Sequence, residues 1–144
     1  MACTMQFLFL LVLTSYHFYF GTSSFESYEI QVIDGNIENL VAHVFSKDND
    51  LGNKTMTIKD AFHWSFRRDY DESTMFTGEF FWTSDDGTET RKTSFPVFDN
   101  DVAKDCGQSI LKDHKCFWLV TSVGFYFSKD DPVSTGWELK HNWP

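Results

Sequence analysis

Turn residues divide this chain into short segments at intervals of about ten residues, and this spacing constrains the fold more than any other feature. Several segments alternate apolar and polar residues as strands do, beginning with Tyr28, Ile30 and Val32. The stretch Ser84–Gly87 is the clearest hairpin turn, because an Asp-Gly pair tolerates the positive φ of tight hairpins. The pattern predicts an all-β fold of about eight short strands. On these residues alone, an antiparallel β-sandwich and a small barrel fit equally well.

A charged turn between two apolar segments is the most distinctive stretch of the chain. The segment that ends at Phe45 leads into Ser46–Gly52, which is rich in Asp and Asn and closes with glycine. A second segment begins at Phe62, and in it large aromatic residues alternate with polar ones. The order is therefore strand, loop, strand.

The chain resembles the plant self-incompatibility protein family, the secreted S-protein homologues. The motifs that carry the resemblance occur in the family's order and spacing, and they extend over nearly all of the chain after its N-terminal segment. They are His43, Ser46–Gly52, Trp64–Phe66, Phe80–Trp82, Cys106, and Cys116 followed by Trp118. The resemblance implies a small antiparallel β-sandwich and no enzymatic activity. It also makes Ser46–Leu51 the family motif, which we expect to be mainly architectural.

Two positions depart from the family pattern. Val44 and Thr83 stand where the resemblance places the family's first two cysteines. Loss of both is expected if those cysteines are bonded to each other in relatives, because loss of one alone would leave an unpaired thiol. We therefore expect the Cα atoms of residues 44 and 83 to lie within about 7 Å of each other.

The first 24 residues are predicted to be a secretory signal peptide, and residues 25–144 the single domain of the mature protein. Met5–Leu13 is a short, almost entirely apolar run, and the small residues Gly21 to Ser24 follow a few positions later. A membrane anchor is the alternative, but the run is well short of the roughly 20 residues that a spanning helix needs. We therefore expect a secreted, extracellular protein whose mature chain does not insert into a membrane.

The cysteines agree with export. Cys3 lies in the predicted signal peptide, so Cys106 and Cys116 remain as a pair, and in an oxidising compartment a disulfide is the default expectation. Two free thiols are the alternative. Asn53 begins the only N-glycosylation sequon of the chain, directly after the Gly52 turn, and we expect a glycan there.

The charge balance excludes some classes of partner. Twelve Lys and Arg oppose twenty-one Asp and Glu, which gives a formal net charge of −9. Such a surface repels the phosphates of nucleic acids and of anionic lipids, so we expect no nucleic-acid partner and no membrane lysis.

Two patterns suggest chemistry, but neither is expected to supply it. Asp48–Gly52 suggests a calcium loop, yet counting from Asp48 places Gly52 and Lys59 at the fifth and twelfth positions, where an EF-hand needs ligands. His43 and His63 lie on neighbouring predicted strands and would suit a metal site, an acid–base pair or an unrecognised hydrolase. Histidines beside large apolar residues are more often structural. We therefore expect no enzyme, no metal site and no cofactor.

Charged loops on a rigid sandwich are the best candidates for a binding surface. Arg67, Arg68 and Asp69 are the predicted contact residues, and the stretches Ser84–Glu89 and Asn100–Lys104 have the same charged, turn-like character.

The resemblance implies a secreted protein ligand that a plasma-membrane receptor protein recognises in signalling between cells, which in the founding members leads to rejection of self pollen. We expect such a ligand, acting as a monomer. The alternative is a cell-wall carbohydrate-binding or defence protein, which would need exposed aromatic residues as sugar platforms. Trp137 and Trp143 are the candidates for that role.

Overall fold

The computed structural model describes residues 26–69, 71–108, 113–129 and 136–144, which form ten strands and one short helix. The predicted signal peptide, residues 1–24, lies outside the described residues. The strands in chain order are β1 (Ser27–Asp34), β2 (Leu40–Phe45), β3 (Asp50–Met56), β4 (Ala61–Arg67), β5 (Phe76–Thr83), β6 (Thr90–Phe98), β7 (Gly107–Gln108), β8 (Asp113–Val120), β9 (Gly124–Ser128) and β10 (Glu138–Asn142). The helix α1 (Asn100–Asp105) lies between β6 and β7.

The strands form two sheets. The larger sheet has the order β10-β9-β8-β1-β4, with β7 paired to β8, and the smaller sheet has the order β3-β2-β5-β6. The pairs are antiparallel except for β1 and β8, which run parallel with Ile30 opposite Cys116. The prediction of a small all-β sandwich is confirmed. The parallel pair joins the first strand to the eighth, a long-range pairing that local sequence patterns do not specify.

The core lies between the two sheets because alternate residues of each strand point inward. In β1 and β2 this alternation is regular, with every second residue buried. Aromatic rings meet across the interface: the ring centroids of Phe80 and Phe125 lie 5.0 Å apart, and those of Phe66 and Phe98 lie 4.7 Å apart. Burial of each such side chain contributes about 1.5–3 kcal/mol to folding. The largest fully buried side chains include Trp118, Phe80, Phe98, Phe125, Ile30, Ile37 and Leu40.

The hairpin and the strand edge follow the sequence-based expectation. Gly87 has φ 72°, which closes the turn between β5 and β6. Pro96 lies in β6, the outermost strand of the smaller sheet, where no neighbouring strand needs its missing N–H.

The helix α1 begins at Asn100 and ends at Asp105. The side chain of Asp99 accepts a hydrogen bond from Val102 N at 2.8 Å, and this N-cap fixes the helix start. The stretch predicted as an exposed loop, Asn100–Lys104, is therefore helical. Within the described ranges, no helix is long and apolar enough to span a bilayer.

The expected proximity of Val44 and Thr83 is wrong. Both lie in adjacent strands, but the register places Val44 opposite Gly78, and Thr83 lies five residues further along β5. At about 3.3 Å per residue this offset separates the two positions by about 17 Å. Gly78 is buried and faces the core beside Val44. If a cysteine at position 44 has a partner in this fold, the register assigns it to position 78.

Candidate functional site

A groove of about 760 Å³ opens between two loops that the sequence keeps far apart. One wall is the turn between β2 and β3, and the other is the segment between β4 and β5. We call it the two-loop groove. Its lining residues are Ser46, Lys47, Asp48, Asn49, Phe66, Arg67, Asp69, Asp71, Ser73, Thr74, Met75 and Phe76.

The first wall is a turn held by its own polar groups. Ser46 N donates to Asn49 O at 2.6 Å, and Asn49 N donates to the Ser46 hydroxyl at 3.1 Å. Asp50 Oδ1 accepts from Gly52 N at 2.8 Å, where Gly52 has φ 79°. Short polar side chains that bond to nearby backbone fix such turns. The turn therefore leaves Lys47 and Asp48 exposed toward the groove.

The second wall is ordered in the same way. Asp69 N donates to Thr74 Oγ1 at 2.7 Å, and Ser73 N donates to Asp71 Oδ1 at 3.1 Å. Hydrogen bonds from Ser73 hold the pKa of the Asp71 carboxyl below its usual value. These contacts close the loop on itself, so its charged side chains are presented in a defined arrangement.

The three predicted contact residues divide into two kinds. Arg67 and Asp69 are exposed and line the groove. The side chain of Arg68 is only 13% exposed, and it forms ion pairs with Glu26 at 3.9 Å and with Glu72 at 3.6 Å. Its Nη2 also donates to Asn100 Oδ1 at 2.6 Å, which ties the loop to the start of α1. Arg68 is thus placed to hold the loop, while Arg67 and Asp69 line the groove.

The groove combines charge with apolar surface. Arg67 and Lys47 supply positive charge beside the carboxylates of the two loops, and Met75 leaves 49% of its surface exposed at the edge. Sequence reasoning missed Met75 and the part played by Lys47 and Asp48, because it assigned the family motif to architecture alone. The sequence feature that could have identified this part of the groove is a methionine next to a charged loop.

The two histidines are not brought together. His43 lies in β2 of the smaller sheet and His63 in β4 of the larger one, so the expectation that they occupy neighbouring strands is wrong. His43 contacts two carboxylates instead: Nε2 lies 2.8 Å from Asp50 Oδ1, and Nδ1 lies 3.5 Å from Glu79 Oε2. The hydrogen bond to Asp50 is the main cause of a raised His43 pKa. The pairing fixes the end of β2 to the start of β3.

The structure also places the remaining predicted sites. Cys106 and Cys116 form a disulfide with Cα atoms 4.8 Å apart, which confirms their pairing and ties the end of α1 to β8. Asn53 is exposed, but it lies inside β3, opposite His43, and not after a turn as expected. Among the described residues, no group of three or more acidic, His or Cys side chains is arranged to hold a metal ion.

The tryptophans proposed as sugar platforms have little exposed surface. Trp143 is 6% exposed, its ring is tilted against that of Phe125 with centroids 4.6 Å apart, and its Nε1 donates to Thr121 O at 2.7 Å. Trp137 is partly buried. The expectation that Trp143 is exposed is wrong, because the end of the chain folds back over the core.

The family match and the two relatives described here all point to the same plant protein family. Residues 29–143 match the family described as plant self-incompatibility protein S1. The chain is 25% identical over 140 residues to "Self-incompatibility protein S1" of Papaver rhoeas, covering 95% of this chain and 92% of that one. It is 28% identical over 90 residues to "S-protein homolog 2" of Arabidopsis thaliana, covering 62% of this chain and 52% of that one. No solved structure matches the chain.

Proposed function

The chain belongs to the plant self-incompatibility protein S1 family, and from this premise we propose that it is a secreted protein ligand recognised by a receptor protein at a plant cell surface. The relative from Papaver rhoeas is named for self-incompatibility, and rejection of self pollen is what the family resemblance implies for the founding members. The proposal for this chain is the broader one, a diffusible signal whose receptor binds the two-loop groove.

The observation that carries the proposal is the meeting of two loops. The family motif at residues 46–49 connects two strands of the smaller sheet, the charged loop at residues 67–74 connects the larger sheet to the smaller one, and together they line one groove. Loops presented by a rigid sandwich are where such folds place recognition. The motif thus has two roles, because it forms the turn between β2 and β3 and also one wall of the two-loop groove.

The chemistry of the groove suits a protein partner. Its volume of about 760 Å³ lies in the range of about 300–1,000 Å³ in which clefts enclose a ligand or a few side chains. Phe66, Met75 and Phe76 offer apolar contact, and charges of both signs surround them. Mixed charges at the edge of an interface contribute orientation and specificity more than affinity. A receptor loop with an apolar residue flanked by charges fits this pattern.

The test is binding of the purified protein to plasma membranes of the source plant. R67A/D69A removes one charge of each sign from the groove and leaves the net charge unchanged. The matched control K92A/D85A removes one charge of each sign from exposed positions outside it. We expect saturable binding to a membrane protein that weakens about tenfold or more in R67A/D69A and stays within about twofold in the control. Equal loss in both variants would remove the groove as the receptor site.

A separate variant distinguishes a residue that holds the loop in place from residues that would contact the receptor. R68A removes the ion pairs to Glu26 and Glu72 and the bond to Asn100. We expect R68A to lower thermal stability more than R67A/D69A does, because the Arg68 side chain is only 13% exposed and joins three partners. Retention of the wild-type protein on cell-wall polysaccharide, with no membrane-protein partner, would favour the carbohydrate-binding alternative instead.

A further inference from the structure

A second concave site lies beside α1, where the helix meets the ends of β6, β9 and β10. It has a volume of about 270 Å³. We call it the acidic pocket. Its lining residues are Pro96, Asp99, Asp101, Val102, Asp105, Trp118, Phe127, Lys140 and His141.

The inner wall of the acidic pocket is apolar. Trp118 and Phe127 are core residues with 2% and 6% of their surface exposed, and their rings pack 5.0 Å apart. The indole Nε1 of Trp118 already donates to Val97 O at 2.9 Å, so the ring offers the pocket carbon surface and no free donor. Val102 completes this wall from the helix. Such a wall favours an alkyl chain over a polar group.

The outer edge of the pocket is negative. Asp99, Asp101 and Asp105 place three carboxylates around the opening. Asp99 uses one oxygen to cap the helix, and Asp101 is 92% exposed with only Lys104 nearby, at 3.8 Å. The lining cation, Lys140, is paired with Glu138 at 3.3 Å. The carboxylates therefore exceed the positive charge available to neutralise them.

The histidine that lines the pocket, His141, does not oppose a cation at neutral pH. The ring of His141 stacks on Phe95 with centroids 4.1 Å apart. Burial is the main cause of a lowered His141 pKa, and the charge of Lys140 adds to it. The imidazole is therefore neutral near pH 7 and presents a flat face beside the opening.

The helix beside the pocket is anchored at both ends. The N-cap at Asp99 fixes the start of α1, and the Cys106–Cys116 disulfide fixes the chain at its end to β8, the strand that carries Trp118. The backbone of α1 and the aromatic wall are thus tied to each other before any partner arrives. Preorganisation of this kind reduces the loss of conformational entropy on binding.

We propose that the acidic pocket binds a cationic side chain, arginine or lysine, from a partner protein. The alkyl stem packs on Trp118, Phe127 and Val102, and the charged head meets Asp101 and Asp105, in the way long basic side chains cover apolar surface while their heads stay in water. The volume is below the range of about 300–1,000 Å³ that encloses a whole small molecule, and it suits one side chain. This contact does not depend on the receptor assigned to the two-loop groove.

The experiment is an NMR titration of isotope-labelled protein with the peptide acetyl-Gly-Gly-Arg-Gly-Gly-amide. We expect shifts at the Trp118 indole N–H and at the amides of Phe127 and His141. The same peptide with norleucine in place of arginine keeps the alkyl chain without the charge, and it should bind about fivefold more weakly or not at all. Equal binding of the norleucine peptide would overturn the proposal in favour of an apolar partner.

Matched variants locate the contact. D101N/D105N removes two carboxylates from the pocket, and E38Q/D85N removes two carboxylates from exposed positions that line neither the pocket nor the groove. Arginine-peptide affinity should fall about fivefold in the first variant, which corresponds to about 1 kcal/mol, and by less than about 1.5-fold in the second. Binding should persist in R67A/D69A, which separates this pocket from the groove. Equal losses in the two carboxylate variants, or shifts spread over the whole surface, would show attraction to the net charge only and overturn the proposal.

Discussion

His43 Nε2 lies 2.8 Å from Asp50 Oδ1, and that same oxygen accepts the backbone N–H of Gly52 at 2.8 Å. The contact joins the end of β2 to the start of β3. Between them lies the turn that forms one wall of the two-loop groove, so the protonation state of one histidine bears on the shape of the surface assigned to recognition.

The first prediction is that the His43 contact stabilises the fold in mild acid. The pKa of His43 is raised in the folded protein, chiefly by Asp50 and further by Glu79. A raised pKa means that the folded state holds this proton more tightly. The stabilisation is fully present below the unfolded pKa of about 6.5 and is lost as pH rises through the folded value. Urea unfolding at about pH 5 and about pH 8 should show this difference.

H43Q provides the comparison, because glutamine keeps a donor toward Asp50 but does not titrate. We expect part of the pH dependence of stability to disappear in H43Q, and the His43 ring resonances of the wild type to titrate above the ordinary value. An identical pH profile in both proteins would contradict this account.

The second prediction concerns a buried carboxyl. Asp34 is fully buried; its Oδ1 accepts from Ile37 N at 2.8 Å, and its Oδ2 has no hydrogen-bond partner among the described residues. Burial raises the pKa of Asp34 to about 6. The folded state therefore binds a proton that the unfolded state releases, and stability rises as pH falls from about 7 toward about 4.

Asp34→Asn should remove the cost of the buried charge and keep the bond to Ile37. We expect the free energy of unfolding to increase by about 1–2 kcal/mol at pH 7, with little change at about pH 4. Chemical denaturation at the two pH values measures this. A variant less stable than wild type at pH 7 would count against it.

The third prediction follows from the register of β2 and β5. V44C/G78C should form a disulfide in oxidising buffer, because the two positions are directly opposed in adjacent antiparallel strands. V44C/T83C should retain both free thiols. Thiol titration distinguishes them, with the Cys106–Cys116 bond as internal reference. A Cβ at position 78 would approach Phe80 and Val97 to 2.7 Å, so some repacking and a lower thermal midpoint are expected before crosslinking.

The fourth prediction concerns the native disulfide. C106S/C116S should lower the free energy of unfolding by about 2–3 kcal/mol, since the bond closes a short loop with a sequence separation of 10. The loss should also loosen α1 and weaken peptide binding at the acidic pocket. Hydrogen exchange of the helix amides would report the first effect. Unchanged exchange in α1 would mean that the Asp99 cap alone is sufficient.

The fifth prediction is a glycan on Asn53, which is exposed in the edge strand β3. Protein expressed in plant cells should lose mass on treatment with an amide-cleaving glycosidase. N53Q should lack the modification, and N49Q, which changes an exposed asparagine outside any sequon, should retain it. Equal masses of wild type and N53Q would remove the site.

Strands such as β1 and β2 can be predicted from the sequence because each lies between a buried and a solvent-facing surface. Tyr28, Ile30 and Val32 alternate with polar neighbours, and Asp86-Gly87 marks its hairpin through a backbone angle. The parallel pairing of β1 with β8 has no such local mark. Nor does the register of Val44 against Gly78, which side chains from both sheets determine together.

The candidate site was predictable only in part, because some of its features are local in the sequence and others depend on long-range packing. Charge and turn residues mark Arg67 and Asp69 as exposed, but Arg68 has its partner Asn100 thirty-two positions away. One wall of the groove connects two strands of the smaller sheet and the other crosses from the larger sheet to the smaller, so their meeting depends on how the two sheets pack. The local sequence gives the composition of each loop, whereas the packing of the two sheets determines which loops lie next to each other.

The central parallel pair has a consequence for how the protein is made. β1 leaves the ribosome first, yet its neighbour β8 is synthesised only after β2 to β7. High contact order slows folding, because the chain must close a long loop before the contacts that reward it can form. β1 can pair with β4 early, but the larger sheet is completed only once nearly the whole domain has emerged, and until then the other edge of β1 has no partner strand.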